Sequence, residues 1–203
     1  KQDNPDGNYS DGDIVTLTAE ADYGYKFVGW SGDVTGSDPS IQVTMNANKN
    51  ITAQFVPLSQ YSLSITSQNG IVKINPVKAL YMEGEDVILT AVKNFGYKFT
   101  GWSGDFTGLT NPAIVNMDGN QQITANFTAI PTYPLTINST EGGDVTTAID
   151  SPANVSGGLY EEGALVTLTA NAKPGFLFTG WSGDLSSSAN PLKFTVDGSK
   201  TLT

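Results

Sequence analysis

Apolar and polar residues alternate along this chain with a period of two, in short runs broken by Gly, Asn, Asp and Pro. Tyr61, Leu63 and Ile65 alternate with Ser62, Ser64 and Thr66, the pattern of a strand with one buried face. Asn69-Gly70 then supplies a tight turn into residues 71–75, which Pro76 ends, and this predicts a β-hairpin. Val87, Leu89 and Ala91 make the next strand, Tyr97 and Phe99 line the inner face of another, and Val115 with Met117 form a fifth. Asp118-Gly119 turns the chain toward Ile123, Ala125 and Phe127. No window carries the i, i+3, i+4, i+7 apolar spacing of a helix. Six short strands in about 72 residues predict an all-β module, a small β-sandwich or partly open barrel.

The same pattern is written three times. Residues 24–33 read GYKFVGWSGD, 96–105 GYKFTGWSGD and 175–184 GFLFTGWSGD, with Trp30, Trp102 and Trp181 spaced 72 and 79 residues apart. Upstream, Tyr9, Gly12, Val15, Leu17 and Ala19 match Tyr81, Gly84, Val87, Leu89 and Ala91, then Tyr160, Gly163, Val166, Leu168 and Ala170. The seven extra residues of the third copy fall before Tyr160, in a stretch with Ser151, Pro152, Gly157 and Gly158 that reads as loop. The expected organisation is therefore a tandem array: repeat one over 1–60, repeat two over 61–132 and repeat three over 133–203. Repeat two is complete. Repeat one lacks the counterpart of 61–76 and repeat three that of Ala125, Asn126 and Phe127, as expected of a piece of a longer array. Short proline-containing linkers, Pro57-Leu58-Ser59-Gln60 and Ala129-Ile130-Pro131-Thr132, are expected to hold neighbours nearly in contact.

Composition removes most chemistry. The chain has no cysteine and no histidine, so disulfides, Cys or His zinc sites, Ser-His-Asp triads and cysteine nucleophiles are excluded within it. Twenty acidic residues against ten lysines give a net charge of −10, which repels nucleic acid and anionic membrane surfaces. Apolar runs fall far short of the roughly 20 residues that span a bilayer. Lys1 is followed by Gln2, Asp3, Asn4 and Pro5 instead of a signal-peptide core, so any export signal is expected outside this sequence.

The Tyr-x-x-Gly turn, the Val-x-Leu-x-Ala strand, the Gly-Trp-Ser-Gly-Asp motif and the closing Ile51-Thr52-Ala53-Gln54-Phe55 and Ile123-Thr124-Ala125-Asn126-Phe127 are together similar to the divergent InlB B-repeat family of bacterial surface and secreted proteins. The resemblance covers nearly the whole chain. It implies export to the bacterial cell surface or medium, and a non-catalytic spacer, stalk or presenting module of a larger protein. The alternative it leaves is a carbohydrate-binding or adhesive accessory module of a polysaccharide-degrading enzyme or adhesin. Expected partners are neighbouring repeats or domains of the same longer chain and, on the alternative, a polysaccharide or host glycan.

Trp30, Trp102 and Trp181 are the candidate ligand-binding residues, because an exposed tryptophan stacks well on a sugar ring. Phe99 faces inward, so strict alternation puts Trp102 outward with Lys98 and Thr100. Gly101, however, marks a bulge that re-aims the next side chain. The indoles then fold over one end of each core as plugs, with each N–H bonded to a loop carbonyl. Asp33, Asp105 and Asp184 close the motif. They suit backbone N–H bonds within their own loops, so no cofactor is expected; the functional alternative is calcium, which takes six to eight oxygen ligands. Copy one adds Asp38, and no loop has EF-hand spacing. Asp11, Asp13, Glu83, Glu85 and Glu162 are expected to be solvated turn residues. Acidic positions that recur with the fold do not make one catalytic cleft, so no enzyme is expected. No Lys, acid and Asn triplet recurs in all copies to make isopeptide cross-links.

Overall fold

A computed structural model describes residues 8–203. Repeat one contributes β1 (Ile14–Thr18), β2 (Tyr25–Gly32), β3 (Ser40–Thr44) and β4 (Ile51–Pro57). Repeat two contributes β5 (Gln60–Tyr61), β6 (Leu63–Ser67), β7 (Gly70–Asn75), β8 (Tyr81–Met82), β9 (Asp86–Lys93), β10 (Tyr97–Gly104), β11 (Ala113–Asn116) and β12 (Gln121–Ala129). Repeat three contributes β13 (Thr132–Ile137), β14 (Gly143–Ile149), β15 (Val155–Ser156), β16 (Leu159–Glu161), β17 (Leu165–Ala172), β18 (Leu192–Thr195) and β19 (Lys200–Leu202). The one helical piece among the described residues is a 3-10 turn, Pro152–Asn154, in the stretch before Tyr160 that holds the seven extra residues.

The longer strands of repeat two form two open sheets, ordered β10-β12-β6 and β11-β9-β7, so each module is a sandwich and not a closed barrel. This corrects the hairpin expected at Asn69-Gly70. β6 joins β12 and β7 joins β9, so the turn carries the chain from one sheet to the other. The Asp118-Gly119 turn between β11 and β12 does the same. Asn69 supplies the tight reversal with φ +65°, but a turn fixes only local direction. Two half-buried strands bury their apolar faces equally well side by side or across a core. The sheets meet closely: a Cβ at Gly70 would overlap the Phe127 ring from the opposite sheet.

Alternation delivers the core. Val87, Leu89 and Ala91 of β9, Ala113 and Val115 of β11, and Ile123 and Ala125 of β12 are all buried. Phe99 packs edge-to-face between Trp102, at 5.1 Å, and Phe127, at 5.7 Å. Repeat three builds its core from Ala164, Val166, Leu168, Trp181, Leu192, Val196 and Leu202. There β19 pairs in parallel with β13, and among the described residues no strand lies opposite 176–180. That segment, the counterpart of the first half of β10, is accordingly not a strand.

The described residues fall into two compact units. One holds those up to Leu63 with Lys78–Asp86 and Asn116–Asn120; the other holds Ser64–Val77, Val87–Val115 and Gln121–Thr203. The strands run into the expected linkers and shorten them to Leu58-Ser59 and Ile130-Pro131.

Candidate functional site

In repeats one and two the Gly-Trp-Ser-Gly-Asp motif sits where a strand bends, and its glycines, tryptophan and aspartate have separable tasks. The register of β10 on β12 shifts between Phe99 and Gly101, and that of β2 on β4 between Phe27 and Gly29. At this bulge Gly101 has φ +132°, and the Trp102 N–H donates to the Gly108 carbonyl at 2.8 Å. Trp30 and Trp181 donate in the same way to Gly36, at 2.8 Å, and Ser187, at 2.7 Å. The bulge turns the indole inward: Trp30, Trp102 and Trp181 are 8%, 4% and 5% exposed. Each indole Nε1 donates to the carbonyl eight residues on, Asp38, Thr110 and Ala189, at 2.8, 2.9 and 2.9 Å.

The second glycine permits a close crossing. Gly32, Gly104 and Gly183 have φ near +100° (99°, 102° and 102°), and a Cβ on any of them would overlap the carbonyl oxygen of Asn50, Gln122 or Thr201. The following aspartate uses that proximity. Oδ2 of Asp33, Asp105 and Asp184 accepts the backbone N–H of Asn50, Gln122 and Thr201 at 2.6, 2.8 and 2.7 Å. Each aspartate's own N–H donates back to the same residue's carbonyl at 2.9, 3.0 and 3.0 Å. This reciprocal pair clamps the exit of one strand to the entry of the closing strand. Asp38 offers its backbone carbonyl to Trp30. Among the described residues, no three or more Asp and Glu side chains converge as a metal site.

Sequence reasoning missed Asn111 and Asn190. Asn111 brackets the backbone of Ala91, accepting its N–H and donating to its carbonyl, both at 2.8 Å. Asn190 does the same to Ala170, both at 2.9 Å. The signal was the Asn-Pro pair that recurs in both loops.

Of the turn carboxylates, Asp11 and Glu162 are exposed as expected, whereas Asp13, Glu83 and Glu85 are more engaged than solvated residues. Glu83 takes two bonds from Lys26 Nζ, at 2.8 and 3.0 Å, and this ammonium group holds its carboxyl below the ordinary range. Lys78 does the same for Glu85 and is itself raised by that bond. Asp13 and Glu85 also accept the backbone N–H of Ser10 and Met82, three residues before them, at 2.7 and 3.1 Å. A hollow of about 240 Å³ in repeat three lies among Gly142, Asp144, Asn171, Phe176, Phe178 and Trp181.

A family model described as the divergent InlB B-repeat domain matches residues 3–59, 61–131 and 133–203. The chain belongs to this family. Each B-repeat match carries one copy of the plug and clamp, and the first two carry the bulge. No curated protein and no solved structure matches the chain significantly. Among the described residues of these B-repeats, no helix is long and apolar enough to cross a membrane.

Proposed function

We propose that this B-repeat array is a non-catalytic spacer or presenting segment of a larger exported bacterial protein. One observation carries this reading: the residues that recur in every copy are engaged in holding the module together. The three indoles are plugs and the three motif aspartates are strand clamps. A repeated binding site would need recurring side chains turned outward. Membership of a family of bacterial surface and secreted proteins supports placement at the cell surface or in the medium. Single-molecule pulling tests the role. A tethering module unfolds under load in separate steps, one per repeat, releasing roughly 260 Å of chain for the 72-residue repeat two at about 3.6 Å per residue and less for the shorter repeat one. A single merged event for the whole chain would count against it.

A polysaccharide pull-down with and without calcium separates this reading from the alternative, a carbohydrate-binding or adhesive accessory module. The spacer reading expects no retention in either condition and no change in melting temperature with millimolar calcium. Retention of the chain on a polysaccharide would replace it with the glycan reading.

A further inference from the structure

The two joins between repeats share a main-chain frame. At the first, Leu58 N–H donates to the Gly24 carbonyl and Glu83 N–H to the Ser59 carbonyl, both at 2.8 Å. At the second, the equivalent Ile130 N–H donates to Gly96 at 2.8 Å and Glu162 N–H to Pro131 at 2.9 Å. Tyr61 stands opposite Tyr81 at the first, and Tyr133 opposite Tyr160 at the second. Backbone bonds of this kind accept any side chains, so the frame alone does not distinguish one following repeat from another.

Charge does distinguish them. At the second join Lys93 Nζ meets both Glu161 carboxylate oxygens at 2.6 Å, and Gly96 N–H donates to Glu161 Oε1 at 2.7 Å. The Glu161 side chain is 4% exposed, whereas Lys26 and Glu83 at the first join are 45% and 33% exposed. The pair is not part of the repeat pattern: Met82 stands in the place of Glu161, and Ala21 and Ala172 in the place of Lys93. A buried carboxylate demands a cation, so a neighbour that leaves Glu161 without Lys93 is penalised, while Lys93, whose side chain is 28% exposed, loses less without Glu161. We infer that Lys93 and Glu161 are a matched key that selects repeat three as the neighbour of repeat two, laid over a main-chain docking that is itself indifferent to sequence. This holds whether the array serves as a spacer or binds a glycan.

Amide hydrogen exchange on the full chain tests it. Glu161→Gln keeps an acceptor for Gly96 but removes the charge. It should speed exchange at Ile130 and Glu162 tenfold or more while leaving Val166 and Leu168, in the core of repeat three, within twofold of the parent. Adding Lys93→Met should recover part of the loss, because the orphaned ammonium is gone. Transplanting the key to the first join with Ala21→Lys and Met82→Glu should slow exchange at Leu58 and Glu83. Unchanged exchange at Ile130 and Glu162 in Glu161→Gln, or equal acceleration in the core, would overturn the inference. A transplant that slows nothing at the first join would also overturn it, leaving the pair as a local brace.

Discussion

Trp102 shows how one residue gathers several constraints. Its indole covers the end of the core, stacks edge-to-face on Phe99 and gives its N–H to Thr110. Truncation therefore removes packing and orphans a carbonyl together. Trp102→Ala should destabilise repeat two by about 3–5 kcal/mol in chemical denaturation, the usual range for a buried Trp. Gly104 is constrained by its backbone. Its φ of +102° and the adjoining Gln122 carbonyl both exclude a side chain, so Gly104→Ala should cost about 2 kcal/mol or more. Gly119 is the internal control, with open space where a Cβ would go and no positive φ. Gly119→Ala should stay within about 0.5 kcal/mol of the parent. Equal losses at the two glycines would mean that the close crossing is unimportant.

At the scale of elements, the turns and strands are held by exposed ion pairs whose effect depends on pH. Lys26, Lys78 and Lys200 depress the carboxyl groups of Glu83, Glu85 and Asp197. A carboxyl whose folded pKa lies below its unfolded value stabilises the fold fully above the unfolded value, about 4.3 for Glu and 3.9 for Asp. That contribution is lost as pH falls through the folded pKa. Melting temperature should therefore hold from pH 7 to about 5 and drop below the ordinary carboxylate range. Glu83→Gln should lower it slightly at pH 7 and flatten part of the acid slope. Salt should mimic part of that substitution, since exposed pairs are screened. A slope as steep in the triple variant Glu83→Gln, Glu85→Gln, Asp197→Asn as in the parent would assign acid sensitivity to other groups.

For the whole molecule, repetition turns each local solution into a modular one. The Asp clamp spans the same 17 residues in every copy, from Asp33 to Asn50, Asp105 to Gln122 and Asp184 to Thr201. Asp105→Ala should thus weaken repeat two by about 1.5–3 kcal/mol, the range for a hydrogen bond to a charged group. Exchange at Val166 and Leu168 of repeat three should stay close to that of the parent. Loss of protection in both repeats together would show that the modules do not hold themselves up independently. The net charge of −10 acts across the chain as self-repulsion, favouring solubility over association between copies.

Period-two alternation, turn residues and threefold repetition were enough to determine an all-β tandem array, to mark Val87, Leu89 and Ile123 as core and to place the bulge at Gly101, because each rests on contacts within one strand or turn. The partner of each strand needed the tertiary structure. Asn69-Gly70 makes the same tight reversal whether the next strand pairs with β6 or crosses to the other sheet, and only the whole set of sheets decides between them. The plug and clamp were legible as candidate residues. Their carbonyl and amide partners, eight and 17 residues away, were not, because backbone groups carry no sequence signature. Lys93 and Glu161 stand 68 positions apart and recur nowhere else. The docking of one repeat on the next, which no periodicity encodes, brings them together.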